Sequence, residues 1–339
     1  MTVTPTSTQQ ERRSRMKESP VARYERMVEI RVCEDTILQL FRDGHVRGST
    51  HTAQGQEAVS VAIATIAAPT DWVTCTYRGH ALALALGLTP LAVIGEILGR
   101  EVGCTRGIGG SMHLCGPEIG LLPTFAIVGA GIPVAVGAAL SASVRGREDV
   151  AFGVFGDGAA NIGAFHEGLN LAAIWNLPVV FVCENNLYGE YSRIDHTTPI
   201  EDLADRAASY GMPSEVVDGQ DVDTAVQALR AATERARNGG GPTLLEMKTY
   251  RYAGHSRTDE ATYRPPGELD VWQARDPIGI LGRRLVDDGT IGQDDLELIR
   301  REVEVMVEAA VEEALASPEA PLSEMLAHVT AGASTAGGE

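Results

Sequence analysis

The stretch VAFGVFGDGAANIGAFHEGLNLAAIWNLPVVFVCENN, residues 150–186, decides the fold of this 339-residue chain. Its opening run, Val150 to Phe155, is short and apolar, and Gly156-Asp157-Gly158 follows at once, so it reads as a buried strand ending in a turn. Phe165 to Trp175 carries a helical period, and Pro178 to Cys183 is a second apolar run of strand length. Strand, helix and strand in such close succession form a βαβ unit with parallel strands.

The alternation continues outward on both sides. Tyr24 to Phe41 has helical period and is closed by Asp43-Gly44; Gln56 to Ala67 and Pro90 to Leu98 are two further helices. Beyond the central unit come a strand at Ser214 to Val217, a helix at Asp223 to Asn238 and a strand at Thr243 to Met247. A long acidic helix from Asp294 to Ala316 follows, its charges reading as a solvated face. The expected fold class is α/β: a parallel sheet sandwiched by helices, with N-terminal helices and a long C-terminal helix. No internal repeat is present.

Residues 1–20 are polar and rich in Ser, Thr and Gln, and read as a disordered lead-in. Residues 21–316 form the expected domain. Residues 317–339 end in GASTAGGE and read as a flexible tail, in which Met325, Leu326 and Val329 offer docking side chains. Hydrophobic residues at 44% and charged residues at 22% suit a soluble globular protein. With 46 acids against 28 bases the net charge is −18, which argues against nucleic acid or an anionic membrane as partner. The first residues lack the apolar core of a secretory signal, and no run approaches the ~20 apolar residues of a membrane-spanning helix. A soluble, cytoplasmic protein is expected. The five cysteines are scattered and odd in number, which fits buried thiols in a reducing compartment better than disulfides or zinc.

Ligands of parallel sheets bind at the carboxyl ends of strands. Two segments there carry chemistry. In Gly156-Asp157-Gly158-Ala159 the glycines let a ligand approach the backbone, and the following helix offers free N–H groups to an anion. Asp157 would repel a bare phosphate, and a magnesium ion bridging the two removes that conflict. The second strand ends in Cys183-Glu184-Asn185-Asn186-Leu187-Tyr188, where Asn186 offers the neutral oxygen that a hard cation accepts. Together they point to a diphosphate-bearing cofactor held through a divalent metal.

Strand, GDG, helix, strand and NN in this order match the thiamine diphosphate signature. Over roughly residues 25–320 the chain resembles the alpha subunit of the 2-oxo acid dehydrogenase first component, a family of pyruvate, branched-chain 2-oxo acid and acetoin dehydrogenases. The matching stretches include RGSTHTAQGQEA (47–58), TYRGHA (76–81), GGSMH (109–113), IVGAGIPVAVGAA (127–139), GDGAANIGAFHEGLN (156–170), CENNLYGEY (183–191) and TYRYAGHS (249–256).

The resemblance implies roles for individual residues. Asp157 and Asn186 would bind Mg2+ through side chains and Tyr188 through its backbone oxygen. Gly156, Gly158 and Ala159 would meet the diphosphate of thiamine diphosphate, with Tyr77 and Arg78 on its other side. Val128 would support the bent cofactor beside its aminopyrimidine. His51 and His255 would line the thiazolium end, where imidazole suits proton movement near neutral pH. Read singly, Tyr77 and Val128 would be core residues and Arg78 a surface ion pair; only the company of GDG and NN lifts them. Ala126 departs from the family, which often has glycine before Ile127, and its methyl would crowd the pyrimidine. His80 and His113 read as loop-ordering hydrogen bonders, and His166 as a helix residue beside the sheet. Ser256 matches a site phosphorylated in some animal members.

The implied reaction attacks a small 2-oxo acid, releases carbon dioxide and passes the acyl group to a lipoyl-bearing acyltransferase. Pyruvate is the first expectation. Acetoin is a rival, because YGEYSRIDHTTPI looks similar to acetoin-cleaving members, and branched-chain 2-oxo acids come third. The resemblance also implies a beta subunit in an α2β2 heterotetramer, which supplies a glutamate that this chain has no second α/β domain to provide. A phosphoryl-transfer enzyme is disfavoured by the absence of G-x-x-x-x-G-K-[ST], and an inactive scaffold by the presence of both His51 and His255.

Overall fold

Alternate residues of the strand at Ala151–Gly156 face two different cores, which is why both of its surfaces are apolar. The structure is a computed structural model that describes residues 7–323. Its elements begin α1 (Ser7–Glu18), α2 (Pro20–Arg42), α3 (Glu57–Ile66), β1 (Trp72–Thr76), α4 (His80–Leu86), α5 (Pro90–Ile97) and β2 (Leu121–Phe125). The central part holds α6 (Gly131–Val144), β3 (Ala151–Gly156), α7 (Gly163–Ile174), β4 (Val179–Asn185), β5 (Tyr188–Gly189), β6 (Ser192–Arg193) and α8 (Ile194–Thr197). The remainder is β7 (Ser214–Asp218), α9 (Val222–Arg237), β8 (Thr243–Lys248), α10 (Glu268–Gln273), α11 (Pro277–Asp287) and α12 (Gln293–Ala316).

Six strands form one sheet in the order β2-β1-β3-β4-β8-β7, every neighbouring pair parallel. Phe152 and Val154 of β3, with Val180 and Val182 of β4, join the core built with α2 to α5 and α9. Ala151 and Phe155, with Val179, Phe181 and Cys183, join the core under α6 and α7. Burial on both faces is the mark of a parallel sheet between helical layers. The α/β class and the long C-terminal helix are as expected. On α12 only Val303, Val307, Ala310 and Ala314 are buried, one stripe of a helix whose charges face water.

Caps explain where the main helices start. Ser19 Oγ accepts from Ala22 N at the head of α2, with Pro20 in the first turn, and Asp221 does the same for Asp223 N and Thr224 N at α9. Expected boundaries agree with the observed ones to within a few residues. The sequence reading passed over β1, β2, α4, α6 and α11. α4, HALALAL, is apolar on all sides and fully buried, so it shows no period; β1, WVTCT, is short and mixed in polarity.

Both termini need correction. The lead-in expected to be disordered contains α1, where Met16 is 1% exposed and Arg13 is buried. Arg13 donates 3.2 Å hydrogen bonds to Ile119 O and to Ala67 O, closing the end of α3, and Arg23 binds Met16 O at 2.8 Å. A polar composition hides docking of this kind, because two long-range arginine contacts replace an apolar stripe. The first residues of the expected flexible tail also dock: Pro318 O accepts from Glu101 N at 3.0 Å and Ala320 N donates to Gly99 O at 3.1 Å. Met325, Leu326 and Val329 lie outside the described residues.

Candidate active site

After β1 the chain moves outward to β2, then returns to place β3 on the other side of β1. Loops leaving neighbouring strands on the two sides of such a switch diverge and open a crevice at their carboxyl ends. Every strand around it contributes. Tyr77 and Arg78 follow β1, Ala126 and Val128 follow β2, Asp157 and Gly158 follow β3, Asn186 follows β4, and Arg251 and His255 follow β8. His51 enters from the loop between α2 and α3. The resulting cleft has a volume of about 490 Å³, in the range of small-molecule sites. All of His51, Tyr77, Arg78, Val128, Gly156, Asp157, Gly158, Ala159, Asn186, Tyr188 and His255 line it.

One corner gathers oxygen donors. Gly156 and Glu184 are register partners, so Asp157 and Asn186 leave adjacent strand ends together. Asp157 is 3% exposed, and no basic side chain among the described residues forms an ion pair with it. Burial raises its pKa to about 6, while backbone N–H groups of Asp157 and Asn186 pull the other way. Asn186 Nδ2 donates to Gln56 Oε1 at 3.1 Å, and Asn186 Oδ1 accepts from Tyr188 N at 3.3 Å. Gln56 is also bonded to Glu184, whose carboxyl burial pushes up to about 7. Above this corner β5 and β6 pair as a small hairpin. A Cβ on Gly158 would lie 3.1 Å from Gly189 Cα, so glycine is what lets the hairpin close over the Asp157 turn. Tyr188 OH holds the hairpin down by donating to Glu268 at 2.8 Å.

The opposite end is an aromatic cluster. The His51 ring lies 4.5 Å from Tyr77 and 5.0 Å from His255, and Tyr77 lies 5.8 Å from His255. Burial, with Arg78 nearby, lowers His51 to about 3; the same two causes lower His255 to about 4. Both imidazoles are therefore neutral at pH 7. His51 Nδ1 is buried and has no hydrogen-bond partner, an atom poised for a ligand. Arg78 is buried and donates to Thr52 O at 2.5 Å and to His255 O at 3.0 Å, tying the two histidine loops together.

A buried carboxylate in no ion pair among the described residues, beside an amide oxygen at the head of a glycine-lined cleft, fits a cation-bridged anionic cofactor. The profile of the family described as "Dehydrogenase E1 component" matches residues 25–323. The chain belongs to the dehydrogenase E1 component family. It is 41% identical to the alpha subunit of acetoin:2,6-dichlorophenolindophenol oxidoreductase from Cupriavidus necator, over 92% of this chain and 94% of that one. A subunit of the same name from Bacillus subtilis is also 41% identical, over 90% and 92%. The pyruvate dehydrogenase E1 component subunit alpha of Rhizobium meliloti is 38% identical, over 91% and 89%. Membership makes the chain an alpha subunit of the thiamine diphosphate-dependent oxidoreductases, whose named relatives divide between pyruvate and acetoin.

Within this E1 chain several cleft residues escaped the sequence reading. Gln56 and Arg251 sit inside stretches that carried the resemblance, yet only their histidine neighbours stood out. Arg251 is 2% exposed and spans the site, donating to Ala253 O and Glu190 O at 3.2 Å and to Tyr263 OH at 2.9 Å. Arg78 is buried rather than paired on the surface, and Val128 is 46% exposed in the cleft wall rather than a core residue. His80 is wholly buried between Glu34 Oε2 at 3.0 Å and Ser111 Oγ at 2.9 Å, which ties the start of α4 to α2 and to the loop at Ser111. His113 bonds Thr124 O at 3.3 Å, and His166 bonds Tyr210 OH at 2.6 Å outside the cleft. Among the described residues no three His, Cys, Asp or Glu side chains surround a metal position. The expected ligand set needs none, being one carboxylate, one amide and one backbone oxygen. Three of the five free cysteines are buried and two are half-buried, and no described helix is long and apolar enough to cross a membrane.

Proposed function

We propose that this alpha subunit holds thiamine diphosphate through Mg2+ in the cleft and, with a beta subunit in an α2β2 assembly, cleaves a carbon–carbon bond beside a carbonyl. The observation that carries this is Asp157, a buried carboxylate that forms no ion pair among the described residues, next to Asn186. Asp157 and Asn186 would ligate the metal through side chains and Tyr188 through its backbone oxygen. Gly156, Gly158 and Ala159 would meet the diphosphate on one side, and Tyr77 and Arg78 on the other. Val128 would support the aminopyrimidine end, and Ala126 beside it is where a fit would be tightest. Bound there, thiamine diphosphate supplies a carbanion that adds to carbonyls and stores electrons. His51 and His255 would exchange protons with the substrate oxygen. The acyl group passes to a lipoyl-bearing acyltransferase, and the assembly works in the cytoplasm. Pyruvate is the reference 2-oxo acid, with acetoin and branched-chain acids as the other donors of the family.

Calorimetry with thiamine diphosphate and Mg2+ tests the metal corner. Asp157→Ala is expected to abolish metal-dependent binding, and Asn186→Ala to weaken it less, since water replaces a neutral ligand more readily than a charged one. Wild-type affinity in Asp157→Ala sinks the assignment. The subunit alone is expected to be inactive and to gain activity on mixing with its beta partner.

A further inference from the structure

Gln56 stands at the N-cap position of α3, yet its side chain does not cap the helix. It is 1% exposed and is built into the cleft wall. The loop that carries it is tied to the chain leaving β8. Thr249 Oγ1 donates to Gly55 O at 3.3 Å, and Tyr252 N donates to Gln54 O at 2.9 Å. Gly55 has a φ of 91°, and a Cβ there would collide with Tyr250 O, so glycine is what admits this approach. The Gln56 amide is thereby set at a fixed place beside the strand end that carries Asn186.

Both ends of that amide are bonded, and in one direction. Its nitrogen donates to the Glu184 carboxylate, and its Oε1 accepts from Asn186 Nδ2 at 3.1 Å. An ionised carboxylate only accepts, so the Gln56 nitrogen must face Glu184 and its oxygen is left for Asn186. Asn186 in turn must give its nitrogen to Gln56. Its Oδ1 then accepts from Tyr188 N at 3.3 Å with one lone pair and keeps the other for the cleft. Glu184 and Asn186 are buried like Gln56, so water competes little for these bonds. An Asn186 amide turned the other way would present N–H donors, which no cation accepts. The adjacent Asn185 is spent on the fold: its Nδ2 donates to Glu246 at 2.6 Å and its Oδ1 accepts from Leu187 N at 3.1 Å.

We propose that Gln56 is a positioning residue, oriented by Glu184, that holds the Asn186 amide with its oxygen toward the cation. The proposal rests on the reading that Asn186 ligates the metal of thiamine diphosphate. The effect of Gln56 passes through Asn186, so it shows in metal-dependent binding and vanishes once Asn186 has no amide to orient.

The test is calorimetric titration of thiamine diphosphate and Mg2+ into the subunit assembled with its beta chain, at pH 8, where the Glu184 carboxyl is mostly ionised. Gln56→Leu is expected to weaken metal-dependent binding about ten- to a hundred-fold, the scale on which partners of metal ligands act. In an Asn186→Ala background the same substitution is expected to add no further loss. Gln56→Glu sets two carboxylates face to face and is expected to bind weakly. The exchange Gln56→Glu/Glu184→Gln restores a donor at 184 and an acceptor toward Asn186, and is expected to recover affinity to within a few-fold of wild type; it decides the matter if Gln56→Leu does not fold. Equal losses from Gln56→Leu in the wild-type and Asn186→Ala backgrounds would give Gln56 a role in packing and overturn the proposal. Wild-type affinity in Gln56→Leu, or an exchange no better than Gln56→Glu, overturns it as well. Metal-dependent binding in wild type with any of these results defeats the Gln56 assignment alone, whereas no such binding in wild type, or no loss in Asn186→Ala, defeats the metal reading and the proposal with it.

Discussion

Arg78 holds His255 by its main chain and not by its ring: Nη2 donates to the His255 carbonyl oxygen at 3.0 Å, while Nη1 holds Thr52 O at 2.5 Å. From the other side the His255 N–H donates to Asp259 Oδ2 at 2.5 Å. The loop is thus fixed through its backbone, and the imidazole hangs from it into the cleft.

That separation makes His255→Ala a clean substitution. The loop keeps its ties to Arg78 and Asp259, so cofactor affinity is expected to stay within a few-fold. Turnover of the assembled enzyme is expected to fall by about a hundred-fold or more, the usual scale for loss of a proton-transferring group. Steady-state rates beside a binding isotherm check this. Equal turnover would return His255 to a role in packing.

Arg78→Met has the opposite character. Removing the guanidinium strands two carbonyl oxygens, Thr52 O and His255 O, in a largely buried setting. Leaving buried polar groups unsatisfied costs about 1–3 kcal/mol for each group. Urea unfolding of the apo subunit is expected to show a loss of about 2 kcal/mol or more, together with lower activity as the two histidine loops lose their common tether. Unchanged stability would mean that the loops are held by other contacts.

Acid should reveal the two depressed histidines. Their folded pKa values, about 3 for His51 and about 4 for His255, lie below the ordinary 6.5. Below pH 6.5 the unfolded chain takes up protons that the folded chain refuses, so their contribution is full above that pH and is lost as pH falls toward 4. Asp157 and Glu184, raised to about 6 and about 7, act in the opposite sense in the apo protein. The histidine contribution is therefore read as a difference. The stability of His51→Gln/His255→Gln relative to wild type is expected to improve between pH 7 and pH 5 in urea unfolding. A difference constant with pH would contradict it.

Much of this was legible in residues 150–186. Two apolar runs separated by a helical period require parallel strands buried on both faces, and the observed sheet has them side by side as β3 and β4. Local chemistry also marked the strand ends, because a GDG turn and an Asn pair are rare enough to stand out in one dimension. Periodicity failed where it had nothing to report. α4 is buried on every side, and α1 docks through Arg13 rather than through an apolar stripe.

Spacing and the motifs that carry the resemblance were enough for the class of fold and the family, and they singled out Asp157 and Asn186 as candidates, since each rests on neighbours a few positions apart. The union of those residues with the ring cluster was not readable that way. His51 and His255 stand far apart along the chain, and their rings meet at 5.0 Å because the loop between α2 and α3 lies over the carboxyl end of β8, where Arg78 ties Thr52 O to His255 O. Likewise, no local pattern marks Gln56 as the partner of Asn186, or Arg251 as the strut beneath Glu190. Hydrogen bonds and charges act across space within a few ångströms, and the winding of the sheet, not the order of the residues, brings those groups within range.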